Sequence, residues 1–112
     1  MSLQGKVAIV TGSGAGLGFA YAQELAAQGA AVVVNDTDGG RAQAAVETIE
    51  AAGGRAVAVV AAVGPTETAE QLVETAISTF GGLDILVTNA GILRDRSLLK
   101  MSDEDFDAVI DV

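Results

Sequence analysis

The stretch Lys6-Val7-Ala8-Ile9-Val10-Thr11-Gly12-Ser13-Gly14-Ala15-Gly16-Leu17-Gly18 constrains this chain more than any other. Its first half is apolar and rich in β-branched residues, which is the pattern of a buried strand. Glycines then occupy alternate positions, 12, 14, 16 and 18, and an amphipathic helix starts at about Gly16. Glycine lets the backbone turn sharply and lets a ligand approach with no Cβ in the way. A helix that begins there aims free N–H groups and its positive dipole end at the turn, which suits a phosphate. Strand, glycine turn and helix together predict the first βα unit of a nucleotide-binding α/β fold. The bare alternative is a glycine-rich turn with no ligand.

Three more strand-then-helix units are expected to follow. The second strand is Ala31 to Asn35, with a turn at Asp36-Thr37-Asp38-Gly39-Gly40. A helix from about Gly40 to Ala52 is predicted to bury Ala42, Ala45, Val46 and Ile49, which share one face. The first helix is read to Gln28, with Leu17, Ala20, Tyr21, Glu24 and Leu25 at helical spacing and Gly29 as its C-cap. The third strand is Arg55 to Ala61. Gly64-Pro65-Thr66-Glu67 reads as a helix start, with proline at the first helical position. That helix stacks Ala69, Leu72, Val73, Ala76, Ile77 and Phe80, and the fourth strand is Asp84 to Thr88. After a loop from Ile92 to Met101, Ser102 and Asp105 resemble a capping box. The helix expected there holds Phe106, Val109 and Ile110.

Strands that are apolar throughout and alternate with helices imply a parallel sheet covered on both faces. The expected architecture is a Rossmann-type three-layer sandwich with strand order 3-2-1-4, a truncated doubly wound fold forming one domain over residues 1–112. The ligand crevice should open at the carboxyl ends of strands one and four.

Composition narrows the function. Half of the 112 residues are hydrophobic, which marks a globular chain. A net charge of −9 argues against nucleic acid and anionic membranes as partners. There is no cysteine and no histidine, so thiol chemistry is excluded and any metal site would rest on carboxylates. Nothing reads as a membrane span or a signal peptide, which makes a cytoplasmic location the expectation.

The generic G-x-G-x-x-G fingerprint does not fit, because it would place glycine where Leu17 or Phe19 stands. Thr-Gly-x-x-x-Gly-x-Gly does fit, at Thr11, Gly12, Gly16 and Gly18. Asn89-Ala90-Gly91 follows the fourth strand. Together these resemble the short-chain dehydrogenase/reductase family, and the likeness runs from Lys6 to Val112, matching the amino-terminal half of a typical member. The segment Ile92 to Ser102 further resembles bacterial 3-oxoacyl-carrier-protein reductases and the dehydrogenase part of peroxisomal multifunctional enzymes.

Cofactor contacts are expected from Gly12, Ser13, Gly14, Gly16, Leu17, Gly18, Asp36, Ala62, Val63, Asn89, Ala90 and Gly91. Asp36 closes the second strand, where a carboxylate can accept hydrogen bonds from ribose hydroxyls and repel a 2′-phosphate. NAD is therefore expected in preference to NADP, with Arg41 the nearby cation. The competing reading makes Asp36 a turn residue that caps the next helix. Ala62-Val63 departs from the Asp-Val usual in the family, so a side-chain contact to adenine is missing there.

The family's catalytic Tyr-x-x-x-Lys is absent, since Tyr21 is the only tyrosine and Leu25 stands four residues on. Tyr21 is read as a packing residue, and no catalytic residue is assigned. Three readings compete. The first is the NAD(H)-binding portion of a short-chain dehydrogenase, cut off before its catalytic half and inactive alone. The second is a stand-alone nucleotide-binding module. The third is a structural half-domain. A homo-oligomer is expected, paired through an open edge of the fourth strand and through the last helix.

Overall fold

A computed structural model of the protein describes residues 2–14, 16–62, 66–88 and 108–111. The elements run β1 (Val7–Thr11), α1 (Gly16–Ala27), β2 (Ala31–Asp36), α2 (Gly39–Ala51), β3 (Arg55–Val60), α3 (Thr66–Phe80), β4 (Ile85–Thr88) and β5 (Ala108–Asp111). The sheet is parallel in the order β3-β2-β1-β4-β5. Its first four strands stand in the expected 3-2-1-4 order. β1 lies in the middle, with Val10 level with Val34 of β2 and Val87 of β4.

Strand periodicity sorts the side chains into two cores. Val7, Ile9, Ala31, Val33 and Leu86 face one way and pack with Ala69, Leu72, Val73 and Ala76 of α3. Ala8, Val10, Val32, Val34, Ile85 and Val87 face the other way, toward Ala22 of α1 and Ala42, Ala45, Val46 and Ile49 of α2. The buried face read for α2 is the observed one. Each fully buried side chain of the size of Ile9 or Leu72 contributes about 1.5–3 kcal/mol.

α1 packs through a different face from the one its leucines suggest. Gly18 and Ala22 are its buried residues, flanked by half-buried Phe19, Tyr21, Leu25 and Ala26, while Leu17 and Ala20 are exposed. Small residues at i and i+4 bring this helix close to the sheet. Tyr21 is a packing residue, as read. Gly29, with φ +106, closes the helix, where its N–H donates to Ala26 O. At the opposite end of the sheet from the glycine turn, Asp84 locks β1 to the start of β4. The Val7 N–H donates to Asp84 Oδ2 at 2.9 Å, and the Asp84 N–H donates to Val7 O at 2.9 Å.

Two expectations are overturned at the carboxyl-terminal end. Residues 108–111 form a strand where the final turns of a helix were expected. Ile85, Leu86 and Val87 do not present an open edge, because β5 pairs with them at Ala108, Val109 and Ile110. The physical reason is local. Val109 and Ile110 are β-branched, and the exposed ladder of β4 offers them a complete set of parallel hydrogen-bond partners. The argument for self-association through that edge and a last helix falls with it. The start of the helix predicted from Gly64-Pro65 and the Ser102–Asp105 capping box lie outside the described residues.

Candidate functional site

The carboxyl ends of β1, β2 and β3 bring together the glycine turn, Asp36 and Ala62. Gly12 has φ +61 and Gly16 φ +65, left-handed backbone that would cost an ordinary L-residue about 1–2 kcal/mol. These two glycines let the chain leave β1 and enter α1 within a few residues. Gly18 is buried one turn into α1.

A buried brace behind the turn was not anticipated in this form. Ser13 and Asn35 are both fully buried. The Ser13 N–H donates to Asn35 O at 2.7 Å, and the Asn35 N–H donates to Ser13 Oγ at 3.0 Å. The Ser13 hydroxyl in turn donates to Val10 O at 2.7 Å. Asn35 Nδ2 spends its two hydrogens on Val59 O and Ala61 O, each at 3.1 Å, and its Oδ1 accepts from the Gly12 N–H at 3.5 Å. Three strand ends are thus tied by two side chains. The β1–β2 ladder stops at Val10 and Val34, and these polar groups satisfy the backbone just beyond it. Ser13, expected as a cofactor contact, turns its hydroxyl inward.

Asp36 is 8% exposed and points at the glycine turn. Its Oδ2 accepts from the Gly14 N–H at 3.1 Å. Its Oδ1 accepts from the Asp38 N–H at 2.9 Å and from Arg41 Nη2 at 3.1 Å. Burial alone pushes this carboxyl up. The Asp38 N–H, the Arg41 guanidinium and the Gly14 N–H outweigh burial and hold it below its ordinary value. Asp38, not Asp36, is the N-cap of α2, where it accepts from the Arg41 N–H at 2.9 Å. An aspartate just ahead of the helix was the sequence signal for this cap.

Ala62 lies exposed just past β3. Leu17, in the first turn of α1, is 61% exposed, and Val60, the last residue of β3, is 51% exposed. Two large apolar side chains therefore reach solvent at the same end of the sheet. Val63, Asn89, Ala90 and Gly91 lie outside the described residues. A separate groove of about 800 Å³ opens at the opposite end, between the carboxyl ends of α1 and α2, and is lined by Gln4, Gln23, Thr48 and Arg55 among others. It contains none of the expected site residues. Among the described residues there is no carboxylate group set to hold a metal, and no helix is long and apolar enough to cross a membrane.

The family model described as short chain dehydrogenase matches residues 6–112. The chain belongs to this family. It is 49% identical over 118 aligned positions to peroxisomal multifunctional enzyme A of Dictyostelium discoideum, covering 97% of this chain and 26% of that protein. It is 52% identical over 115 positions to a hydroxyacyl-CoA dehydrogenase of Mycobacterium tuberculosis, covering 98% of this chain and 36% of that protein. A 7α-hydroxysteroid dehydrogenase solved with NADH and 7-oxo glycochenodeoxycholic acid superposes with a TM-score of 0.77 at 42% identity, covering 80% of this chain and 35% of that one. The chain thus spans well under half the length of these relatives. The family's cofactor is a nicotinamide dinucleotide. The Dictyostelium relative is peroxisomal by name, a compartment that the expectation of a cytoplasmic chain did not include.

The residues present suit such a cofactor. A nicotinamide dinucleotide needs a turn that admits its pyrophosphate, and a carboxylate at the end of the second strand can accept from its ribose hydroxyls. Gly12 and Gly16, in left-handed backbone, fit the first, and Asp36, bonded to the Gly14 N–H, is of the kind that fits the second.

Proposed function

We propose that this chain is the NAD(H)-binding portion of a short-chain dehydrogenase whose substrates are 3-hydroxyacyl or 3-oxoacyl thioesters. The observation that carries the cofactor assignment is the Asp36 carboxylate, buried, ionised and fixed at the mouth of the glycine turn. A fixed negative charge there accepts hydrogen bonds from a ribose diol and repels a 2′-phosphate. The internal bonds of Ser13 and Gly14 assign those amides to the frame of the turn. The pyrophosphate then falls to the head of α1, where the N–H groups of Gly16, Leu17 and Gly18 have no intrahelical acceptor. Leu17 offers an apolar surface beside the bound cofactor, and Val60 and Ala62 flank the adenine side.

The acyl-thioester class is supported by the name of the hydroxyacyl-CoA dehydrogenase relative. When bound, the cofactor supplies the hydride, and this chain's residues hold and orient it. Titration of the protein with NADH and NADPH, followed by cofactor fluorescence, tests the assignment. NADH is expected to bind more tightly, and Asp36→Ala is expected to narrow the difference. Equal or tighter binding of NADPH to the unmodified chain would overturn it.

A further inference from the structure

Asp36 has more partners than a ribose-binding carboxylate can keep. An ionised carboxylate has about four lone-pair sites, two on each oxygen. Among the described residues, Oδ1 already accepts from the Asp38 N–H and from Arg41 Nη2, and Oδ2 accepts from the Gly14 N–H. A ribose diol bound by both hydroxyls needs two acceptor sites, and three of the four are taken.

The three donors differ in how easily they leave. The Gly14 N–H is held by the braced turn, whose neighbouring Ser13 is bonded to Asn35 through both its N–H and its hydroxyl. The Asp38 N–H is held by the helix cap, since Asp38 accepts from the Arg41 N–H. The Arg41 guanidinium sits at the end of a flexible stem with 54% of its side chain exposed. Its loss from Asp36 is readily made good by water, whereas a displaced backbone N–H would stay half-buried and unpaired.

Resting on the NAD(H) reading above, we infer that Arg41 occupies the ribose site as an internal competitor, and that a dinucleotide binds by displacing its guanidinium from Asp36 Oδ1. The displaced guanidinium stays anchored at the first turn of α2, within reach of the position a 2′-phosphate would take. Arg41 then acts in opposite senses on the two cofactors. It opposes NAD(H), which needs the oxygen that Arg41 covers, and it partly offsets the repulsion of NADP(H) by Asp36.

The test is titration of the unmodified chain, Arg41→Gln and Arg41→Lys with NADH and with NADPH at two salt concentrations. Arg41 stands largely in water, so its pair with Asp36 is worth little, and Arg41→Gln should tighten NADH by about twofold to fivefold. The same change should weaken NADPH by a similar factor, and Arg41→Lys should lie between. Raising the salt should narrow the gap between the unmodified chain and Arg41→Gln for NADH, because salt screens the competing pair. General damage to the site would weaken both cofactors together. Unchanged or weaker NADH binding by Arg41→Gln, or movement of both cofactors in one direction, overturns the inference while leaving the NAD(H) assignment standing. Failure of the unmodified chain and both variants to bind either dinucleotide overturns that assignment and this inference with it.

Discussion

Gly14 and Asp36 are matched to each other. The Gly14 N–H donates to Asp36 Oδ2 at 3.1 Å, and a Cβ added at residue 14 would stand 2.5 Å from that same oxygen and 2.8 Å from Asp36 Cγ. The glycine at 14 therefore makes room for a carboxylate of the chain itself. It shapes the site from behind, while Gly12 and Gly16 shape it by their backbone conformation.

Gly14→Ala should leave the fold intact and damage the site. Asp36 must swing away from the new methyl group, which frees the Gly14 N–H and releases the carboxylate from its fixed place. Leaving a part-buried donor unpaired costs about 1–3 kcal/mol. NADH affinity should drop at least several-fold, and the urea midpoint should fall modestly. Gly16→Ala makes a useful contrast. A Cβ there meets nothing within 4 Å, so its cost is that of left-handed backbone alone. Wild-type NADH binding by Gly14→Ala would refute the matched pair.

Stability should depend on Asp36 at acid pH. Its carboxyl titrates lower in the folded chain than in the unfolded one. In the window between the two values the unfolded chain binds more protons, so stability rises with pH there. The contribution is complete above the ordinary aspartate value and is lost as pH falls through the lower folded value. Denaturation midpoints measured at steps down from neutral pH should show this loss, and Asp36→Asn should flatten the slope. An equally steep profile in the variant would assign the acid sensitivity to other groups.

The Ser13–Asn35 brace should matter more to stability than its two polar residues suggest. Ser13→Ala leaves the Asn35 N–H without its acceptor and removes a donor from Val10 O, both in a fully buried setting. The expected loss is about 1–3 kcal/mol in urea denaturation. Asn35→Leu should cost more, because it strips donors from Val59 O and Ala61 O together. A change below about 0.5 kcal/mol for Ser13→Ala, the scale of ordinary surface substitutions, would show that water replaces the hydroxyl.

The brace also shows where sequence reasoning stops. Strands such as Val7–Thr11 and the buried face of α2 were legible because apolar residues recur at the period of the element. Gly29 was legible as a cap because left-handed backbone selects glycine. Ser13 and Asn35 carry no such period. Their meaning lies in which strand ends become neighbours, and only the sheet order supplies that. α1 was misread at Leu17 and Ala20 because the face that packs is made of Gly18 and Ala22, which hydrophobicity hardly marks. β5 was missed because four residues, Ala108–Asp111, fit a helix or a strand equally well until the edge of β4 is present to pair with them. Asp36 was found by its place at the end of β2, but Asp38 N–H, Gly14 N–H and Arg41 as its partners depend on how the turn closes.

Ala62→Asp should tighten dinucleotide binding. Ala62 is exposed just past the end of β3, and Asn35 holds the preceding carbonyl of Ala61 in place. A carboxylate there can accept from an adenine amino group. One added hydrogen bond is worth about 0.5–1.5 kcal/mol, which is roughly twofold to tenfold in affinity. Weaker or unchanged NADH binding would move the adenine away from this strand end.

The 112-residue chain alone is expected to bind cofactor without turning over substrate. Carbonyl reduction needs a proton donor within about 2.6–3.2 Å of the developing alkoxide and both reactants held in near-attack geometry. Tyr21 is the only tyrosine, and it packs on α1 against the core. Leu25, four residues later, carries no charge to assist it as a lysine would. Asp36 is held below its ordinary value and bonded to Gly14, Asp38 and Arg41, so it offers no proton. NADH oxidation should therefore be undetectable with a panel of 3-oxoacyl thioesters and simple ketones. Activity should appear when a second polypeptide of the same family supplies a serine, a tyrosine and a lysine in the family arrangement. Turnover by the purified chain itself, abolished by Gly16→Val, would mean that a proton donor among its own residues has gone unrecognised.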